Sequence, residues 1–516
     1  MSRTRRFVGG ISAAYAYQAV VVIAGLWLTP LFLSRLGAHD YGLWLTAAQA
    51  LSYLTLLDFG VVALLPREVA FATGRANGAH ASDLPEIVAR TAGIVLLFMP
   101  LVAGAALAAW WAVPGEWQSL EAPLALLLAC FVITYPFRIF QAVLQGLQDL
   151  TFVGAVQLVA WISGTALSVA LVLAGWKLAA LAAGLATTQL VTSMACACRL
   201  LIAHPGAAPR ALPDLSRHEV MRQLGAGLWV TITQVAQVLL YATDMLIVAA
   251  FFGPVTVVPY ACTQKLISVL ANQPQILTQA AAPALSELRM GASKDKLLSV
   301  TSSLSLALLL GSGAVLSVVV AVNRSFVSWW VGPDQFGGLV LTGLFAGAML
   351  ARHWATSLVY SLFAFGRERR IALTTLADGL VTLTLSLVLT PWIGVSGVPL
   401  AFLCGALFVS VPANLRALAR EVGEPPVSLV APLVPLGVRL AAVVVIAAGV
   451  NLFVRSGSFI AVAVTAAAMA AVYAALMLPV ALRPPLGDYL QRALAPVLAF
   501  VRPRSELEVV KDHARS

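Results

Sequence analysis

Apolar runs recur along this chain at intervals of about 25 to 30 residues, from Phe7 to Leu482, and no other feature limits its fold so tightly. A helix needs about 20 apolar residues to cross a hydrocarbon core about 30 Å thick, and each run is near that length. We count fourteen: 7–33, 41–66, 87–113, 122–146, 152–175, 178–202, 224–252, 255–282, 297–322, 337–365, 371–391, 393–415, 429–453 and 458–482. Of 516 residues, 60% are hydrophobic and only 10% are charged, against roughly 25% charged in soluble domains. The fold class that follows is an all-α polytopic membrane protein.

The 32 Lys and Arg residues are divided unequally by these spans: 24 gather on one face, 4 on the other, and Arg138, Lys265, Arg352 and Arg439 lie inside. Basic loops stay in the cytoplasm, so both termini are expected there, which needs an even number of crossings. The net charge of +10 is thus a topology signal, and nucleic acid is not an expected partner. Arg3, Arg5 and Arg6 precede a span too long for a cleavable signal, so the first helix is expected to be retained. Cys130, Cys196, Cys198, Cys262 and Cys404 all fall within spans and read as small packing residues, with no disulfide or metal site expected.

No loop between spans is long enough to fold as a soluble domain. A membrane glycosyltransferase or ligase needs a substantial extracytoplasmic loop for its acids or recognition residues, and this chain has no place for one. The longest inner connection, 204–222, separates six spans from the next six. We divide the chain accordingly: a first lobe over 1–203, a cytoplasmic linker over 204–222, a second lobe over 223–420, two appended helices over 421–482 and a cytoplasmic tail over 483–516. A weak internal repeat supports two lobes: TALSVALVLAGW (Thr165 to Trp176) aligns with VTLTLSLVLTPW (Val381 to Trp392), tryptophan on tryptophan. The tail reads equally well as an inner-leaflet amphipathic helix or as a solvated end.

Charges inside spans carry the chemistry, because they are costly in hydrocarbon and mark cavities or pathways. Counting about 1.5 Å per residue, Asp58 lies about 25 Å below the outer end of its helix, Arg138 about 24 Å and Arg352 about 22 Å. Asp378 is about 20 Å deep, while Asp244 and Lys265 are roughly 10 to 15 Å deep. Each acid has a base at its level: Asp58 with Arg138, Asp378 with Arg352, Asp244 with Lys265. Such pairs either tie helices together or line a hydrated cavity, and the residues alone leave both open. Arg138 and Arg352 are the candidates for substrate contact, since a guanidinium fork fits phosphate oxygens. Asp58, Asp244, Lys265 and Asp378 are candidates for cavity charge or coupling. His353, next to Arg352, points about 100° away on a helix and reads as packing.

The segment LGAHDYGLWLTAAQALSYLTLLDFGVVALLPREVA (Leu36 to Ala70) resembles the second-helix signature of the polysaccharide flippases, a branch of the multidrug/oligosaccharidyl-lipid/polysaccharide transporter superfamily. FFGPVTVVPYACTQKL (Phe251 to Leu266), the run from Gln279 to Leu288, SLFAFGRERRIAL (Ser361 to Leu373) and LVLTPWIGVSGVPLAF (Leu387 to Phe402) agree with it. LLDFG favours Wzx-type O-antigen and exopolysaccharide flippases. The resemblance implies a V-shaped transporter of twelve or fourteen helices in the bacterial inner membrane. It would carry undecaprenyl-pyrophosphate-linked oligosaccharide outward by alternating access, with Asp58 as the family's aspartate and Arg67 as its following basic position. It also implies a monomer without catalysis or cofactor, coupled to H+, Na+ or no ion. Membrane lipid is a partner, and a polysaccharide polymerase and chain-length machinery are candidate ones. A cation-coupled multidrug exporter and a lipid II flippase are the alternatives in the same fold.

Overall fold

The computed structural model describes residues 3–75, 83–208, 215–289, 294–454, 458–484 and 486–487, and among these there is helix and no strand. Eighteen α-helices follow in chain order among the described residues: α1 Arg3–Leu54, α2 Val61–Arg75, α3 Leu84–Trp111, α4 Gln118–Thr134, α5 Arg138–Gly146, α6 Leu150–Leu173, α7 Lys177–Ala203, α8 Arg217–Tyr241, α9 Asp244–Phe252, α10 Pro254–Arg289, α11 Lys294–Trp330, α12 Leu339–Ala364, α13 Glu368–Ile393, α14 Gly397–Gly405, α15 Val411–Val422, α16 Pro426–Val430, α17 Val434–Phe453 and α18 Phe459–Ala481. Ten helical stretches are long and apolar enough to cross a membrane among the described residues. The tail after Leu486–Gly487 and positions 209–214 of the linker lie outside the described residues, as do the side chains of Gln279 to Leu288.

Several expected spans are not single helices, and the breaks are chemically specific. The first two merge into α1, which bends where Gly37 takes a left-handed φ of 83°, a conformation a glycine adopts without steric cost. A 3-10 turn, Thr55–Asp58, then separates α1 from α2. Pro136 lies in a second such turn, Tyr135–Phe137, between α4 and α5; its ring and missing N–H interrupt the helical ladder. A five-residue π segment, Ala406–Ser410, leads into α15, which ends at Gly423 in the left-handed conformation.

The chain forms two compact units. The first comprises Met1–Thr263, Trp330–Gly337 and Ala372–Phe402. Its core gathers Leu43, Leu65, Val69, Ile139, Leu144 and Leu200. α6 and α7 approach closely at glycines: a Cβ on Gly164 would fall 2.3 Å from the Gly184 oxygen, and one on Gly184 would fall 2.4 Å from the Gly164 oxygen. Small residues substitute for the hydrophobic effect as the means of helix association in lipid. Trp176 and Trp392, the aligned tryptophans of the repeat, are both strongly exposed near the same ends of α6 and α13, the position of interfacial aromatic anchors.

The second unit comprises Gln264–Trp329, Gly338–Ile371 and Leu403–Ser516. A polar seam joins α11 to α12: Ser305 Oγ lies 2.9 Å from Ser357 Oγ, Ser312 Oγ 2.6 Å from His353 Nδ1, and Asn323 Nδ2 donates to Thr342 Oγ1 at 3.0 Å. The two appended helices dock on α11, where Tyr473 donates to the Leu310 carbonyl at 2.6 Å and Asn451 to the Ala321 carbonyl at 3.4 Å. Beside them lies an apolar cavity of about 400 Å³, lined by Leu309, Trp354, Leu407, Leu433 and Leu440 among others.

Candidate functional site

Asp58 sits where α1 has just ended. Phe59 and Gly60 take left-handed φ values of 48° and 72°, and the freed Gly60 N–H donates to Asp58 Oδ1 at 2.9 Å, an Asx turn that replaces a lost helical bond. Opposite it, Arg138 opens α5 immediately after the proline turn. Its Nη2 lies 3.4 Å from Asp58 Oδ2. Tyr135, in that turn, donates to the Leu57 carbonyl at 3.1 Å, and the Arg138 guanidinium carbon stands 5.8 Å from the Tyr135 ring centre. Two helix interruptions therefore face each other, joined by an ion pair and a phenol hydrogen bond. The pair is unsymmetrical: the carboxylate is 1% exposed and the arginine side chain 32%. A sealed acid holding a partly open guanidinium suits anion contact, since the acid fixes the arginine while one side stays accessible.

α8 crosses this break at contact distance. A Cβ on Gly60 would meet the Gly227 oxygen at 2.6 Å, and one on Gly227 would meet the Phe59 oxygen at 2.4 Å. Further toward the start of α8, Glu219 receives Arg90 at 2.5 Å and also Arg222, while Arg90 reaches Glu86 at 2.8 Å. Gln223 Nε2 donates to Thr91 Oγ1 at 3.4 Å. Beside this network, burial pushes the Glu68 carboxyl above its ordinary range, Arg90 and Arg222 pull it down, and Glu219 adds to the upward push. Sequence inspection passed over this cluster because its members flank the spans, where charge is ordinary.

Asp244 begins α9 after the interruption at Ala242 and Thr243. Gln49 Nε2 donates to its Oδ1 at 2.5 Å and the Tyr260 hydroxyl to its Oδ2 at 3.3 Å. The Gln49 oxygen in turn accepts the Met245 N–H at 3.0 Å, and Tyr53 Oη lies 2.6 Å from Thr243 Oγ1. Gln49, Tyr53 and Tyr260 were not singled out from sequence; their signal is an amide or hydroxyl inside an apolar run, weaker than a charge. Asp378, also in the first unit, is fully buried and accepts from Thr382 Oγ1 at 3.1 Å. It heads a buried stripe of Thr382, Ser386 and Thr390 along α13.

Lys265 and Arg352 belong to the second unit. Arg352 is buried on α12, and its neighbour His353 is held by Ser312. Arg67, on α2, is exposed and lies over the Phe71 ring at 5.3 Å. Of the six deep charges, the first unit thus contains Asp58, Arg138, Asp244 and Asp378, and brings Asp58 and Arg138 into an ion pair.

Residues 91–322 match the family described as polysaccharide biosynthesis protein. A comparison with curated proteins gives no match. Among solved structures, the fold is similar to that of the lipid II flippase MurJ in an inward closed conformation, with 10% identity over 92% of this chain and 99% of that one and a TM-score of 0.66. It is also similar to an inward-facing multidrug resistance transporter of the MATE family, at 14% identity over 79% of this chain and 98% of that one, TM-score 0.54. A transporter of the same superfamily from Pyrococcus furiosus matches at 14% identity over 81% and 96%, TM-score 0.53.

The fold so defined is the one shared by MurJ and the MATE proteins, with ten helical stretches among the described residues long and apolar enough to cross a membrane. The matched family covers 232 of the 516 residues, and the solved structures share the fold.

Proposed function

We propose that the protein carries an oligosaccharide linked to undecaprenyl pyrophosphate from the cytoplasmic to the periplasmic leaflet of the bacterial inner membrane, for O-antigen or exopolysaccharide synthesis. The observation that carries this reading is Arg138, deep in its span, anchored by a sealed Asp58 and still one-third exposed. A diphosphate has to cross about 30 Å of hydrocarbon, and a fixed guanidinium at depth lowers that cost. Arg352 supplies a second guanidinium, and exposed Arg67 a basic group at the cytoplasmic end. Asp244 and Asp378, held by hydroxyl and amide groups, together with Lys265, set the cavity charge or couple transport to H+ or Na+. Both termini lie in the cytoplasm, the protein works as a monomer, and polymerase and chain-length proteins take the product.

The test is deletion of the gene followed by mass spectrometry of lipid-linked intermediates. An undecaprenyl-linked glycan that accumulates on the cytoplasmic leaflet, restored to export by the wild-type chain and not by Arg138→Glu or Arg352→Glu, is the expected result. An unchanged lipid profile, with lost resistance to hydrophobic cations instead, would favour the multidrug alternative.

A further inference from the structure

Where α12 ends and α13 begins, within the second unit, Arg367 and Arg370 meet α15, which carries Arg416, Arg420 and Glu421 and is followed by Glu424. The acids are partly engaged: Glu421 pairs with Arg367 at 2.7 Å, and Glu424 accepts from Ser428 Oγ at 3.4 Å. Arg370 extends to α15, where its Nη2 donates to the Ala413 carbonyl at 2.5 Å, while its Nη1 is buried without a hydrogen-bond partner. Arg416 and Arg420 stand three and seven residues beyond Ala413, on the same face of α15. Arg420 and Arg367 act against the charge on Arg370, while Glu421, already paired with Arg367, favours it. Among the described residues, none of Arg370, Arg416 and Arg420 forms an ion pair.

Arg367, Arg370, Arg416 and Arg420 outnumber Glu421 and Glu424, and gathering that surplus of guanidiniums costs free energy unless a further anion lies among them. We propose that Arg370, Arg416 and Arg420 hold the phosphate of a membrane lipid head group on the face that the Lys/Arg asymmetry assigns to the cytoplasm. The arginine fork suits phosphate oxygens, and basic clusters beside the inner leaflet recognise anionic head groups. The carbonyl of Ala413 fixes Arg370 against α15, beside the exposed Arg416 and Arg420. The phosphate can come from an anionic phospholipid or from a polyprenyl diphosphate, and only the second source rests on the function proposed above.

The test is native mass spectrometry of the full chain in detergent, titrated separately with phosphatidylglycerol, undecaprenyl diphosphate and zwitterionic phosphatidylethanolamine. The wild type is expected to retain one or both anionic probes over phosphatidylethanolamine, whose ammonium offsets its phosphate, and Arg370→Gln/Arg416→Gln/Arg420→Gln to lose at least tenfold in that affinity. Arg324→Gln, on the opposite face, serves as control, and the single exposed Arg420→Gln serves where the triple variant elutes as aggregate. Loss of phosphatidylglycerol retention identifies phospholipid as the source; loss of diphosphate retention identifies the polyprenyl carrier. Equal retention of the anionic probes and phosphatidylethanolamine, or no change in either variant, overturns the site. Because binding is read directly, a failed export assay leaves this result unaffected.

Discussion

Replacing Asp58 with Asn separates the two tasks of that carboxylate. The amide oxygen can still accept the Gly60 N–H, which is 2.9 Å away, so the left-handed turn survives while the charge facing Arg138 is lost. At 3.4 Å and an effective dielectric near 20, the attraction is about 5 kcal/mol. Two effects reduce the net loss. The neutral amide avoids the cost of desolvating a carboxylate, and Arg138, 32% exposed, recovers hydration that a sealed guanidinium could not. The expected destabilisation is therefore about 1–3 kcal/mol, below the roughly 3–5 kcal/mol seen when a buried pair is broken completely. Unfolding of Asp58→Asn, Arg138→Gln and the double variant in one lipid environment gives the coupling from a double-mutant cycle, and glycolipid export is followed alongside. Coupling below about 0.3–0.5 kcal/mol, the range found for independent sites, together with full export by Asp58→Asn, would refute both the energetic and the functional argument.

Gly227→Val places a side chain where a Cβ already lies 2.4 Å from the Phe59 oxygen, so a loss of about 1–3 kcal/mol is expected in thermal unfolding. Gly225→Ala, two residues earlier with open space around it, should instead gain up to about 1 kcal/mol from helix propensity. Burial raises the Glu68 carboxyl in the folded state, so its contribution to stability is greatest at low pH and is lost as pH rises through the raised folded value. Glu68→Gln should therefore unfold at a higher temperature than wild type at pH 7.5, the difference shrinking toward pH 4.5; a lower midpoint at pH 7.5 would mean that attraction to Arg90 and Arg222 outweighs burial. Tyr473→Phe removes the hydroxyl that reaches the Leu310 carbonyl and should cost about 1 kcal/mol, seen as a lower midpoint without loss of export.

The membrane-spanning architecture was legible because span length is a one-dimensional property, and a count of residues from a span's end assigns each charge a height. Height sufficed for Asp58 and Arg138, whose helices are neighbours in one unit. It carries no azimuth, so it could not show that Asp244 would meet Gln49 and Tyr260, or that Asp378 would run with Thr382, Ser386 and Thr390 down one side of α13. Helix breaks were legible only where glycine or proline marks them. Gly60 and Pro136 stand at two of these breaks, whereas the interruption at Ala242 and Thr243 has neither residue type. Trp176 and Trp392, aligned in the sequence, are both exposed near the C-terminal ends of α6 and α13, where interfacial tryptophans sit.

The breaks and the deep charges occur together for a physical reason. In hydrocarbon an interrupted helix leaves N–H and C=O groups that water cannot satisfy, and an isolated carboxylate or guanidinium is equally unwelcome. At the Asp58 turn each difficulty answers the other: the carboxylate takes the Gly60 N–H, Tyr135 donates to the Leu57 carbonyl, and Arg138, freed at the start of α5 by Pro136, neutralises the acid. A continuous α1–α2 helix would leave Asp58 with no Gly60 N–H to accept, and a continuous α4–α5 helix would remove the turn in which Tyr135 and Pro136 lie. The interruptions thus make an arginine inside a span tolerable to the fold. Because the acid is the sealed partner and the base the open one, the tolerance leaves a guanidinium face available to an anion, which a symmetrical buried pair would not.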